Sequence, residues 1–135
     1  LLREAGTGAL QAWLLDGARV KAAARIAEPS PGWDVAALAD LSGDGRADLV
    51  LTQAAGGVWG MIARPDGLGF EASGWIGAAG AAWHLGRAAD ATGDDRADLV
   101  FVESGSGATW MWTMDGLAIT AQSGLGVAGS GWTLV

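Results

Sequence analysis

The chain has 135 residues, half of them hydrophobic, with 15 acidic against 8 basic side chains and a net charge of −7. The acidic balance argues against nucleic-acid binding, which wants a basic stripe; the absence of cysteine removes disulfides and thiol or cysteine-zinc chemistry and leaves the redox compartment open; and no apolar run approaches the roughly eighteen residues of a membrane span. The length suits one modest domain, and 23 glycines with no collagen period point to many tight turns between short strands.

In chain order, the start Leu1-Leu2-Arg3-Glu4 lacks an initiator methionine and a signal-peptide pattern and reads as a mature or trimmed segment. An alternating stretch at about 8–15 predicts a strand, Asp16-Gly17 a hairpin turn, and 18–26 the returning strand. A further strand is expected at 33–39, then an Asp-rich loop, then strands at 48–53, 57–63 and 68–74, with turns at Gly56-Gly57 and Asp66-Gly67. The same order returns as 83–89, a second Asp-rich loop, 98–103, 107–114 and 117–122, with turns at 104–107 and Asp115-Gly116. No window keeps a helical period; the alanine tracts near 22–25 and 78–82 are short and broken by turn residues.

The two loops carry the chemistry. Asp40-Leu41-Ser42-Gly43-Asp44-Gly45-Arg46-Ala47-Asp48 returns fifty residues later as Asp90-Ala91-Thr92-Gly93-Asp94-Asp95-Arg96-Ala97-Asp98. Oxygen-bearing side chains stand at positions one, three, five and nine, and the carbonyl of Arg46 or Arg96 at position seven adds another. Ca²⁺ takes roughly six to eight oxygens, so a short loop must turn several of them inward together. The metal ligands expected are therefore Asp40, Ser42, Asp44, Arg46 and Asp48 in the first loop, and Asp90, Thr92, Asp94, Arg96 and Asp98 in the second. Gly45 suits the sharp turn at position six, and Asp95 is a residue type that tolerates the left-handed region. No glutamate at position twelve and no helix follow, which excludes an EF-hand. Two other readings stand beside calcium: metal-free turns held by Asx hydrogen bonds, and a carboxylate pair such as Asp44 with Asp48 in glycoside hydrolysis.

The tryptophans keep the same period. Trp33 and Trp83 each stand seven residues before their loop, Gly131-Trp132 repeats Gly32-Trp33, and the 8–17 stretch matches 107–116. Periods of roughly 20–50 residues imply stacked or circular arrays. The chain is expected to form one segment over 1–135 with repeat units near 1–48, 49–98 and 99–135. Leu1 aligns with Val100 and Val135 near Gly86, so the units are partial or circularly shifted at the ends.

The loops, the Ala-Asp-Leu-Val after each, the tryptophan seven residues before each (in Gly32-Trp33 for the first), and Trp112–Gly116 resemble the FG-GAP/VCBS repeat family of calcium-loop propellers, many of them in secreted bacterial proteins. That resemblance implies an all-β fold of β-propeller blades, each of four antiparallel strands, with Ca²⁺ between the first two strands of a blade and an extracellular or cell-surface location. Ser42, Thr92 and Asp95 depart from the family pattern, and the phenylalanine-glycine and glycine-alanine-proline signatures of the integrin version are missing. Integrin-like ligand recognition is therefore not implied.

Trp13, Trp33, Trp83, Trp112 and Trp132 recur in phase and are expected in the core. Trp59, Trp75 and Trp110 fall out of phase and are the candidates for contact with a ligand. His84, beside Trp83, is expected to be structural. With a lone histidine, no cysteine and no phosphate loop, no nucleophile, base and orienter can be assembled, and no enzyme activity is expected. The function expected is a calcium-stabilised structural, adhesion or protein-interaction module that binds a protein or glycan partner and further blades in the same chain or by self-association. A glycan-binding lectin and a non-catalytic region of a larger secreted enzyme or toxin are the alternatives.

Overall fold

A computed structural model describes residues 1–129; the expectations for Trp132 and Val135 lie outside them. Among the described residues there is no helix, and eleven strands form three antiparallel sheets. The first sheet contains β1 (Leu2–Arg3), β2 (Leu10–Asp16) and β3 (Arg19–Ala27). The second contains β4 (Trp33–Ala39), β5 (Asp48–Gln53), β6 (Gly57–Ala63) and β7 (Phe70–Ala78), and the third β8 (Trp83–Ala89), β9 (Asp98–Glu103), β10 (Ala108–Asp115) and β11 (Ala118–Val127). In each sheet consecutive strands are neighbours, the meander of a four-stranded blade.

The glycine turns set this order. Gly17 and Gly116 have φ values of 59° and 60°, and the pairs Asp16 with Arg19 and Asp115 with Ala118 close two-residue hairpins around them. A glycine with positive φ in the first loop position matches the twist of the flanking strands. β4 and β8 each carry a bulge at the same place, where register skips Ala36 and Gly86.

Alternation along each strand sends one set of side chains to each neighbouring sheet. Leu49 and Leu51 of β5 meet Leu10 of the first sheet, whereas Val50, Val58 and Ile62 meet Leu99, Phe101, Trp112 and Met114 of the third. The middle sheet is thus apolar on both faces. Phe101 and Trp112 meet with their rings tilted by 53°, 4.6 Å between centroids, within the larger cluster.

The fourth strands run further than the sequence indicates, to Ala78 and Val127 instead of 74 and 122. Gly74, Gly77, Gly124 and Gly126 read as breakers there, yet the strands are outermost and pair on one side only. At Gly77 the missing side chain admits Trp112, whose ring would stand 3.1 Å from a Cβ.

Candidate functional site

Each Asp loop joins the first two strands of its sheet, at Ala39 to Asp48 and Ala89 to Asp98. In the first loop Asp40 is the hub. Its Oδ1 accepts the Gly43 amide at 2.7 Å and the Asp44 amide at 3.2 Å, and its Oδ2 accepts the Gly45 amide at 2.6 Å. Asp90 does the same with the amides of Gly93, Asp94 and Asp95 at 2.6, 3.2 and 3.0 Å. Burial raises the Asp40 pKa, but these amides and the Ser42 hydroxyl outweigh it, so the carboxyl lies below its ordinary value. Asp90 is lowered too, chiefly by the Gly93 amide.

Asp44 and Asp94 remain exposed. Asp44 accepts the Arg46 amide at 2.9 Å and pairs with its guanidinium at 2.8 Å; Asp94 accepts the Arg96 amide at 3.0 Å and lies 3.8 Å from its guanidinium.

Asp48 and Asp98 turn inward and are fully buried. Asp48 Oδ2 accepts the amides of Leu41 and Ser42 at 2.9 and 3.1 Å, and Oδ1 accepts the Ala63 amide at 2.8 Å. Asp98 accepts Ala91 and Met114 amides, each at 3.1 Å. Each therefore ties its loop to the end of the third strand of its own sheet. Burial pushes the Asp48 pKa up despite its three amide partners. The sequence missed the roles of Ala63 and Met114, because backbone amides leave no trace in residue type.

Calcium chemistry needs several oxygens converging on one point. The oxygens present are of the right hardness. Their arrangement is that of acceptors for the loop's own amides, with Asp44 drawn to Arg46 and Asp48 facing the sheet. Among the described residues no group of three or more histidine, cysteine, aspartate or glutamate side chains is gathered so as to hold a metal ion. As arranged, the residues do not form a closed donor set.

The first loop also forms a seam. The Ala97 amide donates to the Asp40 carbonyl at 2.6 Å, and the Gly116 amide to the Leu41 carbonyl at 2.9 Å. Leu41 is fully buried against the third sheet. Arg96 Nε is buried beside this seam, 3.3 Å from Asp115 without hydrogen-bond geometry. Between the first and second sheets the matching place, beside Arg46, Ala47 and Gly67, is a cavity of about 540 Å³.

The tryptophans divide differently from the sequence expectation. Trp112 is buried, and Trp33 and Trp83 are half-buried as core residues should be, but Trp13 is 47% exposed. It stands on the opposite face of β2 from buried Leu10, and no sheet of described residues covers that face. Trp59 and Trp110 are in phase after all: Trp59 pairs with Leu51 and Trp110 with Phe101. The turn before β10 is one residue longer than that before β6, which hides the match. Trp59 and Trp75 are cross-strand partners, and both meet Trp33 edge to face at 6.3 Å. Trp110, 38% exposed, belongs to the next junction. His84 is exposed, with Nδ1 3.5 Å from the Ser104 hydroxyl.

Sheets of antiparallel strands packed face to face, with an Asp-rich loop between the first two strands of both four-stranded sheets, define a β-propeller-type repeat module. Residues 40–101 match the model of the FG-GAP-like repeat. No curated protein and no solved structure matches the chain.

Proposed function

We propose that this chain is a non-catalytic structural and interaction module of a secreted or cell-surface protein, a rigid run of blades that presents its rims to a protein or glycan partner. The observation that carries the reading is the seam at Asp40 and Leu41, where one repeat's loop is clasped by the next. Such a contact fixes neighbouring sheets relative to each other, and repeat arrays draw stability from these interfaces. No helix among the described residues is long and apolar enough to cross a membrane.

Calcium enters this proposal as an added staple. The loops close on their own amides, and Ca²⁺ binding draws on the exposed Asp44 and Asp94 together with Asp40 and Asp90. A ligand that binds only the folded chain stabilises by RT ln(1 + [L]/Kd). Thermal unfolding in millimolar Ca²⁺ and in EGTA tests this: a higher Tm in Ca²⁺, abolished in Asp44→Ala with Asp94→Ala, is the expected result. Equal melting in both buffers would leave the loops as metal-free turns.

A further inference from the structure

Two clefts lined by matching residues, one at each sheet junction, differ. At the second junction Trp83, Phe101, Trp110 and Trp112 with Gln122 leave about 170 Å³. At the first, their register counterparts are Trp33, Leu51, Trp59, Met61 and Ser73, and the space is about 400 Å³. Leucine for phenylalanine, methionine for tryptophan and serine for glutamine open it. Small-molecule sites commonly occupy about 300–1,000 Å³, so of this matched pair only the first reaches that size.

Its lining combines two indoles with Glu28, Ser30 and Ser73 and has no cationic side chain. That disfavours an anion. Glu28 is already paired with Arg25 at 2.6 Å, which removes the pull on a cationic ligand while leaving carboxylate acceptor capacity. Indole surface beside paired acceptors and hydroxyls suits a ring with an apolar C–H face and hydroxyl edges.

We propose that the cleft between the first and second sheets, on Trp33 and Trp59, binds a neutral saccharide unit. The inference rests on the interaction-module reading and names the ligand class. The test is saturation-transfer NMR on the 135-residue protein with methyl glycosides of mannose, galactose, fucose and N-acetylglucosamine, with choline chloride as a cationic probe. Transfer to at least one glycoside is expected. The paired substitution Leu51→Phe with Met61→Trp, which gives the first cleft the second cleft's side chains, weakens binding at least about tenfold, as does Ser73→Gln alone should the pair fail to fold. Trp110→Ala leaves binding unchanged. Absence of transfer to every glycoside, transfer to choline alone, or binding undiminished in the filled variants overturns the proposal. Calcium-dependent melting read on the same samples separates failure of this site from failure of the calcium staple.

Discussion

The carbonyl of Asp40 accepts the amide of Ala97 at 2.6 Å, so the residue that organises the first Asp loop through its side chain fastens that loop to the second through its backbone. Leu41 follows it into the third sheet and is fully buried there, whereas Ala91, at the same place in the second loop, is exposed. Large-to-small changes in a filled core lose transfer free energy and leave a cavity. Leu41→Ala is expected to lower stability by about 2–5 kcal/mol and Ala91→Gly far less, measured as the difference in urea unfolding free energy. Equal effects would show that the seam is not a source of stability.

Asp48 is the internal counterpart of that clasp, with three amides on one buried carboxylate. Asp48→Ala strands those donors, and each buried unsatisfied donor costs about 1–3 kcal/mol. The variant is expected to lose about 3 kcal/mol or more in urea unfolding at neutral pH. A loss below about 1 kcal/mol would mean that water replaces the carboxylate. Asp98→Ala, with two amides to strand, should be milder.

Much of this fold is legible in the sequence because the Asp loops pin their flanking strands: β4, β5, β8 and β9 lie at the expected 33–39, 48–53, 83–89 and 98–103. The outer strands are less so, since a glycine such as Gly77 reads as a breaker until the ring of Trp112 is seen filling its place. The loop aspartates are conspicuous by spacing, but spacing does not tell a metal ligand from an amide acceptor. Asp48 shows the difference: it stands at a ligand position, but burial and Ala63, fifteen residues on, engage it. The shared place of Trp59 and Trp110 was hidden by a single extra turn residue.

Acid should weaken the fold through the groups held below their ordinary values. Asp90 is lowered first by the Gly93 amide, Glu103 by the Ser106 hydroxyl, and in Asp40 the loop amides overcome burial. A carboxyl with a depressed folded pKa contributes stability above its unfolded value, 3.8 for aspartate, and loses it as pH falls through the folded one. Asp48, raised by burial, has the opposite sign: its ionisation costs stability as pH climbs from 3.8 through the folded value. The stability gap between wild type and Asp90→Asn should be widest near neutral pH and close in acid, followed by urea midpoints across that range. A gap independent of pH would remove the Asp90 carboxylate from the account.

Asp95 is the one non-glycine residue with positive φ among the described residues, at 65°, where Gly45 stands at 81° in the first loop. The left-handed region costs an L-residue about 1–2 kcal/mol, less for aspartate. Asp95→Gly relieves that strain, keeps the amide that donates to Asp90, and should stabilise by about 0.5 kcal/mol after the added chain entropy. Gly45→Asp is the reverse experiment and should destabilise. Matching shifts of opposite sign in thermal melts would confirm the loops as equivalent; a destabilised Asp95→Gly would show that its side chain has a role of its own.

Gly56 and Gly107 occupy the same turn in successive repeats, with φ values of 86° and 73°. A Cβ at Gly56 would run into the backbone of Gly80, and one at Gly107 would stand 2.6 Å from the Gly129 carbonyl oxygen. The same approach allows the Ala79 amide to reach the Gly56 carbonyl at 2.9 Å and the Ala128 amide to reach that of Gly107 at 3.1 Å. Neither backbone can retreat without breaking the hydrogen bond that closes its sheet, and the positive φ adds strain for any L-residue. Gly56→Ala is therefore expected to cost about 2–4 kcal/mol, well above the effect of alanine at Gly93, where φ is 83° but nothing lies within 4 Å. Comparing the two by urea unfolding isolates the collision from the dihedral strain, and equal losses would place the whole cost in φ.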